Sequence, residues 1–360
     1  MHLMRVYSGV VLNCSRVGLS GGLKTYSDEL MKALIESGIP CHAVLPAGYP
    51  VQQGVEPIFT PPSLAGNSDL SLLRPIKWFV YSAFGFPIPK EQRILSTTHQ
   101  VLPGRSHQIV TIHDLRPYFY PDTRVQKFYF HYMLPRALSK CDGIITVSET
   151  SKALISQVYK IAPERIAVIP NCIQPPTSFL FDAEVAECPY ILAVGASWRH
   201  KNIESFLNQR RVWSNSYRLK VVAGRGSYLT HLQALSSSLG ISDKVEFLSA
   251  VSPQQLEALY AGCSALIYPS RMEGFGIPPL EAMARMRPAI VSDIPVFREL
   301  YGSHALYVDP DDPASWERAM SALATLTPTQ LEDAKDHALA YNQERMAIAL
   351  RKALNQFWPL

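Results

Sequence analysis

The 360-residue chain has few charged residues and no long hydrophobic run. Charged residues make up 18% of it, the net charge is +4, and Lys and Arg form no basic block, so a nucleic-acid-binding protein is not supported. No run of about 20 apolar residues could span a bilayer. Polar residues from Asn13 to Arg16 interrupt the apolar opening, so no secretory signal is indicated. These absences predict a protein that stays in the cytoplasm.

Paired cysteines and the usual nucleotide fingerprint are also missing. The six cysteines show no C-x-x-C spacing, which indicates reduced thiols rather than a disulfide framework or a zinc site. The glycine-rich turn from Gly18 to Gly22 is not the G-x-G-x-x-G pattern of dinucleotide-binding domains. We therefore expect no metal site and no dinucleotide cofactor.

What the sequence does contain is short runs of Val, Ile and Leu that alternate with helical patterns. This alternation predicts an α/β fold with parallel sheets and crossover helices. The length predicts two domains. We place them at residues 1–173 and 185–341, with a proline-rich hinge at 171–188. The predicted strands begin at Ile109, Ile144, Tyr190, Leu219 and Ser264, and polar or glycine residues follow most of them at the edge where open α/β sheets bind ligands.

The most specific segment runs from Ser270 to Glu281, after a predicted strand and into a predicted helix. It holds two glutamates separated by seven residues, Glu273 and Glu281, around the glycine loop Gly274-Phe275-Gly276. Glycines allow the backbone to approach a ligand closely, and a helix N-terminus offers unpaired N–H groups. A carboxylate there can accept hydrogen bonds from vicinal hydroxyls. This segment therefore predicts a site for a sugar or a ribose.

Three other motifs follow predicted strands or precede helices. Arg199 and Lys201 lie just after the first strand of the second domain, where they could stabilise a diphosphate. Gly21 and Gly22 precede the first helix. His113 follows the strand that begins at Ile109, and a histidine there can orient a hydroxyl or transfer a proton.

Together these motifs, from about Val6 to Pro310, strongly resemble the retaining glycosyltransferases of glycosyltransferase family 4, which have the GT-B fold. The resemblance implies two Rossmann-like domains with a cleft between them, and a C-terminal helix, residues 342–360, that crosses back to the first domain. It also implies an acceptor-binding first domain and a second domain that binds the nucleotide sugar without a metal. By the resemblance the catalytic residues are His113, Lys201 and Glu273, and the donor-binding residues are Gly21, Gly22, Arg199, Lys201, Glu273, Gly274, Phe275, Gly276 and Glu281.

Within that family the motifs look most like bacterial mannosyl- and rhamnosyltransferases of polysaccharide assembly. We therefore expect GDP-mannose as the donor and a saccharide or a lipid-diphosphate-linked oligosaccharide as the acceptor. A UDP-sugar donor stays an alternative. So do a glycoside hydrolase that uses Glu273 and Glu281 as its carboxylate pair and a non-catalytic sugar-nucleotide-binding subunit.

Some details depart from the family or have two interpretations. Where the family has small residues and a glycine after the second glutamate, this chain has bulky residues between Ala284 and Pro288. Two segments, Leu72 to Phe84 and Arg124 to Lys140, mix aromatic and basic residues, which suits either peripheral membrane contact or core packing. The stretch from Asp336 to Trp358 predicts a single amphipathic helix.

Overall fold

The computed structural model describes residues 9–19, 21–64, 80–176 and 189–359. The chain divides into two compact units, the first comprising Met1–Cys172 and Gln343–Leu360 and the second Ile173–Asn342. Of the segment from Leu72 to Phe84, all but the last few residues lie outside the described ranges, as does most of the predicted hinge. Within those ranges, no helix has the length and apolar character needed to cross a membrane.

The first unit contains a parallel sheet with the strand order β3-β2-β1-β4-β5-β6-β7. Each strand is short, and most are buried along their whole length because helices cover parallel sheets on both faces. The strands are β1 (Val10–Asn13), β2 (Cys41–Leu45), β3 (Val55–Phe59), β4 (Ile94–Ser96), β5 (Gln108–Thr111), β6 (Gly143–Thr146) and β7 (Ile166–Val168). The helices are α1 (Gly22–Glu36), α2 (Arg116–Phe119), α3 (Arg124–Phe128), α4 (Leu134–Leu138) and α5 (Glu149–Tyr159).

The second unit repeats this plan with a parallel sheet in the order β10-β9-β8-β11-β12-β13. Its strands are β8 (Tyr190–Val194), β9 (Arg218–Val222), β10 (Val245–Leu248), β11 (Ala265–Tyr268), β12 (Ala289–Ser292) and β13 (Leu306–Val308). Its helices are α6 (Ile203–Asn208), α7 (Arg210–Trp213), α8 (Ser227–Ser238), α9 (Pro253–Gly262), α10 (Ile277–Met283), α11 (Pro295–Tyr301), α12 (Pro313–Leu323) and α13 (Pro328–Leu339). Fully buried aromatic rings, Phe206 between Trp213 and Trp316, fill its core.

The strand order reverses once in each sheet, and this reversal defines where ligands can bind. In the first unit the chain changes direction between the neighbours β1 and β4, and in the second between β8 and β11. Open α/β sheets bind ligands outside the carboxyl ends of the strands at such switch points. The loops after these four strands are therefore the places to look for a site.

The final helix, α14 (Gln343–Phe357), belongs to the first unit and packs on α1. Gln343 donates a 2.8 Å hydrogen bond to the backbone carbonyl of Glu29, and the indole of Trp358 donates to Asp142 at 2.5 Å. Phe357 lies so close to Gly143 that a Cβ atom there would come within 2.5 Å of the ring. Close packing therefore requires glycine at the start of β6.

The prediction of one helix from Asp336 to Trp358 was wrong. α13 ends at Leu339 and α14 begins at Gln343, so the chain bends between them and Ala340 lies outside the second helix. The bend lies where the chain passes from the second unit back to the first. The residues of the predicted apolar stripe that fall inside α14, such as Met346, Leu350 and Leu354, are buried.

Candidate active site

The central feature of the second unit is a buried cluster formed by Lys201, Tyr268 and Glu273. The ammonium of Lys201 donates to Oε1 of Glu273 and to the hydroxyl of Tyr268, each at 2.5 Å. Only 14% of the Lys201 side chain and 12% of the Glu273 side chain are exposed. Lys201 follows β8, whereas Tyr268 and Glu273 come from β11 and its loop, so the switch point brings them together.

The charges in this cluster stabilise one another. Burial would raise the pKa of Glu273, but the charge and the hydrogen bond of Lys201 outweigh it and hold this pKa below its ordinary value. Burial and the neighbouring Glu273 charge raise the pKa of Tyr268 well above its ordinary value. An ammonium has three N–H donors, and two are used here, so the third can bind an anion such as a phosphate oxygen.

Backbone bonds hold the Lys201 loop against the glycine loop. Residues Arg199–Lys201 form a single 3-10 turn, and Asn202 ends it in the left-handed region at φ 54°. The buried Asn202 side chain donates to the carbonyl of Pro269 at 3.2 Å, and the amide of Arg271 donates to the carbonyl of His200 at 2.8 Å. The loop thereby fixes Lys201, while the side chain of Arg199 is exposed to solvent.

The glycine loop is tightly packed behind Glu273. Gly276 has φ 108°, and a Cβ atom there would lie 2.3 Å from the hydroxyl of Tyr301. That hydroxyl donates to the Gly276 carbonyl at 2.6 Å. Phe275 is buried and makes an edge-to-face contact with Tyr341. Gly274 and Phe275 therefore lie in a rigid turn, and only glycine fits at residue 276.

Glu281 lies on α10 and has a separate partner. Its Oε2 accepts a 2.6 Å hydrogen bond from the hydroxyl of Tyr260, a fully buried residue on α9. Burial raises the pKa of Glu281, whereas the Tyr260 hydrogen bond and the positive charge of Arg285 oppose this rise. The structure thus places Glu273 and Glu281 at opposite ends of one loop, each with its own tyrosine.

In the first unit, the glycine pair lies at the N-terminus of α1, directly after β1. Gly21 is the N-cap at φ 90°, and no side chain caps this helix end. A Cβ atom at Gly21 or Gly22 would meet nothing within 4 Å, so the backbone amides are open to a ligand. The positive φ favours glycine at residue 21.

His113 follows β5 and is bound to the neighbouring loop. Its Nε2 lies 2.9 Å from the carbonyl oxygen of Thr97. A carbonyl can only accept, so Nε2 carries the proton and Nδ1 of the neutral ring is left as an acceptor. Burial lowers the pKa of His113, and the Thr97 bond partly offsets this. Tyr26 packs edge-on against the imidazole, with ring centroids 4.5 Å apart.

Three residues of these sites were not predicted from the sequence: Tyr260, Tyr268 and His99. His99 lies near His113, and burial together with the charges of Arg16 and His113 lowers its pKa to about 4. Tyr268 ends a strand that is neighbour to β8, which was a usable signal once the strand order was known. Tyr260 precedes Glu281 by 21 residues, and no local pattern links the two.

The bulky residues after Glu281 take a conformation that usually favours glycine. Met286 has φ 57°, in the left-handed region. The turn therefore has the same backbone geometry that a glycine would give, and Arg285 beside it pairs with Glu257. Within the described ranges, no cluster of three or more His, Cys, Asp or Glu side chains could hold a metal ion.

Comparison with known proteins agrees with this arrangement. Residues 182–344 match the family model of glycosyl transferases group 1, and residues 20–175 match that of glycosyltransferase family 4. The chain is 40% identical to O-antigen chain mannosyltransferase RfbU of Salmonella typhimurium over 94% of its own length and 97% of that protein.

Solved structures share the fold at low sequence identity. Sucrose-phosphate synthase from Thermosynechococcus elongatus superposes with a TM-score of 0.77 at 19% identity, covering 97% of this chain and 99% of that one. Anabaena HepE, solved with UDP and glucose, gives a TM-score of 0.70 at 15% identity over 97% and 100%. These comparisons overturn the glycoside hydrolase interpretation. The chain belongs to glycosyltransferase family 4, group 1, and is a glycosyltransferase with the GT-B fold.

Proposed function

We propose that this glycosyltransferase transfers a mannosyl residue from GDP-mannose to a saccharide acceptor in the assembly of a bacterial polysaccharide, with retention at the anomeric carbon. The observation that carries the proposal is the 40% identity to an O-antigen chain mannosyltransferase over nearly the whole chain. The acceptor is a growing saccharide carried on a lipid diphosphate.

The second unit binds the donor in this proposal. The third N–H of Lys201 binds the diphosphate, Glu273 contacts the sugar, and Glu281 accepts hydrogen bonds from the ribose hydroxyls. Arg199 is exposed on the same turn and can add a second positive charge to the diphosphate. Gly274, Phe275 and Gly276 hold the loop that carries Glu273.

The first unit binds the acceptor and completes the donor site. The amides at Gly21 and Gly22 bind the donor phosphates at the positive end of α1. His113 orients a sugar hydroxyl through Nδ1. In the reaction, the C1–O bond to the diphosphate breaks and a bond from the acceptor oxygen to C1 forms on the same face. The acceptor proton passes to the departing diphosphate oxygen.

A panel of sugar nucleotides tests the donor. GDP-mannose should raise the melting temperature more than UDP-glucose, UDP-N-acetylglucosamine or dTDP-rhamnose, because a bound ligand stabilises the folded state by mass action. A UDP-sugar donor would be indicated if UDP-glucose gave the larger shift, as the UDP complex of the structural neighbour HepE makes conceivable. The anomeric configuration of the product, read by NMR, tests retention, and lack of turnover with every donor would indicate the non-catalytic subunit.

We further propose that the first unit contacts an anionic phospholipid surface at the inner face of the cytoplasmic membrane. Residues 124–138 form continuous helical turns through α3, the π-helical turn Tyr129–Met133 and α4. Their aromatic-basic face consists of exposed Arg124, Val125, Lys127, Phe128, Tyr132, Met133 and Arg136. Val125 is 67% exposed, and Phe128 and Tyr132 are each 55% exposed. Cations beside exposed aromatic rings suit an interface with anionic lipid.

Vesicle co-sedimentation tests this contact. The protein should bind phosphatidylglycerol vesicles and not phosphatidylcholine vesicles, and Phe128→Ser combined with Tyr132→Ser should abolish the binding. Ile348→Ser is the control, because Ile348 is 52% exposed in the same unit but lies outside the aromatic-basic face. Equal binding by the double variant would contradict the proposal.

A further inference from the structure

We infer that Tyr260 is a positioning residue that orients Glu281 for the nucleotide. The inference rests on the ribose contact proposed for Glu281. Tyr260 lies on α9 and is 1% exposed, and its hydroxyl donates to Oε2 of Glu281 at 2.6 Å. This bond occupies one carboxylate oxygen and leaves Oε1 to accept from a ligand. A carboxylate held at one oxygen presents the other in a fixed direction.

Arg285 fixes the Tyr260 ring in turn. Its guanidinium lies 5.2 Å from the ring centroid, and its Nε donates to Glu257 at 2.8 Å. The same side chain donates to the backbone carbonyl of Glu281 at 2.7 Å. Arg285 therefore binds both α9, through Glu257, and α10, through Glu281, and covers the face of the tyrosine between them. A planar guanidinium suits this combination of stacking and two-pronged bonding, which a lysine cannot reproduce.

The chemistry of the buried carboxyl gives the tyrosine a second role. Burial favours the protonated form of Glu281 and raises its pKa, and the nearby Glu257 charge acts in the same direction. The Tyr260 hydrogen bond and the charge of Arg285 favour the ionised form. An ionised carboxylate is acceptor-only and binds neighbouring hydroxyls more strongly than a neutral acid. Removing the tyrosine hydroxyl thus weakens both the orientation and the charge of Glu281.

Isothermal titration with GDP tests the inference through a double-mutant cycle of Tyr260→Phe and Glu281→Ala. Tyr260→Phe should raise the Kd for GDP about tenfold, as for the loss of one hydrogen bond to a charged group. It should raise the KM for donor by a similar factor and leave kcat at saturating donor within about twofold, because the chemistry is not touched. In the Glu281→Ala background, Tyr260→Phe should have no further effect on the Kd.

Two variants keep the test separate from general loss of stability. Tyr190→Phe is the matched control, because Tyr190 is also buried and its hydroxyl donates at 2.8 Å to a backbone carbonyl, that of Leu259. It should leave the Kd for GDP unchanged. Arg285→Lys keeps the charge but loses the planar contact with the ring, and should raise the Kd about threefold.

The outcomes distinguish the inference from the proposed function. If Glu281→Ala leaves the Kd for GDP and for UDP unchanged, the proposed ribose contact is wrong. If Glu281→Ala weakens binding but Tyr260→Phe does not, the positioning role of Tyr260 is wrong while the ribose contact stands. Additive effects of the two substitutions would likewise overturn the positioning role, because they would show that Tyr260 acts independently of Glu281.

Discussion

In the second unit, charged side chains from adjacent loops bind one another, whereas the first unit offers backbone amides and a neutral imidazole bound to a carbonyl. Lys201 and Glu273 are paired and buried. Gly21 and Gly22 provide only amides, and His113 donates to Thr97. The two units share one sheet plan, so the difference arises from the loops at their switch points. A preformed charge cluster suits a fixed anionic ligand, and neutral donors and acceptors suit hydroxyl groups.

Removing the final helix should have the largest effect and should separate the two units. α14 buries Met346, Leu350 and Leu354 in the first unit. Burial of three such side chains is worth roughly 5–9 kcal/mol, as much as the whole stability of many domains. A chain that ends at Asn342 should lose transfer entirely and lose the native near-UV circular dichroism of the first unit. Its second unit should still bind GDP weakly.

The control for this truncation is Ile348→Ala, because Ile348 is half exposed on the same helix and its loss should cost little. Full transfer activity in the truncated chain would show that the first unit does not need α14. Loss of GDP binding together with transfer would show that the second unit also depends on it.

Replacing Lys201 should have the next largest effect, and it tests the charged half of the comparison. Lys201→Met should lower kcat by about 100- to 1000-fold, the range for losing one preorganised partner of a developing charge. It also leaves Glu273 buried without its cation, so the pKa of Glu273 should rise. Steady-state kinetics at saturating GDP-mannose measure the effect.

Lys220 gives a matched control for Lys201. It too pairs with a glutamate, Glu246, and lies over a tyrosine ring, that of Tyr190, but it is part of β9 and not of a switch-point loop. Lys220→Met should leave kcat near the wild-type value. Equal losses in the two variants would mean that Lys201 contributes stability rather than catalysis.

Acid should weaken the first unit before the second. Burial and neighbouring positive charge lower the pKa of His99 from 6.5 to about 4, so the unfolded chain binds this proton more readily than the folded one. The free energy of unfolding should therefore fall as pH drops from about 6.5 towards 4, by at most about 3 kcal/mol. The lowered pKa of Glu273 acts only below its ordinary value of 4.5.

Hydrogen exchange at pH 7, 6 and 5 measures this difference unit by unit. Protection should decrease in the first unit while the second unit changes little over this range. His99→Phe removes the titrating group and retains a ring against Phe130, so it should flatten the pH dependence. An unchanged slope in that variant would assign the acid sensitivity to other groups.

Local signals in the sequence predicted the elements well. The strand from Tyr190 to Val194 has the predicted bounds, and the capping box at Ser252 and Gln255 is present, because both depend on neighbouring residues only. The helix predicted from Asp336 to Trp358 was wrong, since neither Gly nor Pro marks the bend after Leu339. That bend comes from the passage between units, which no local pattern encodes.

The candidate site was predictable only where its residues lie in motifs. Lys201 and Glu273 were recognised separately, and the structure shows that they are paired, because β8 and β11 are neighbours despite their distance in the chain. Tyr260 and Tyr268 look like ordinary apolar positions in the sequence. Their hydroxyls acquire a role only when the fold brings a buried carboxylate within bonding distance.

The smallest effect should come from His113, and it tests the neutral half of the comparison. Nε2 donates to Thr97, so Nδ1 of the neutral ring can accept one hydrogen bond from a hydroxyl. A neutral bond of this kind is worth about 0.5–1.5 kcal/mol, so His113→Ala should lower kcat by up to about tenfold. The Kd for GDP, measured by titration calorimetry, should not change. Burial lowers the pKa of His113, so wild-type kcat should hold from pH 8 to its ordinary value of 6.5. A loss of 100-fold or more would instead indicate proton transfer by His113, and weaker GDP binding would place it on the nucleotide.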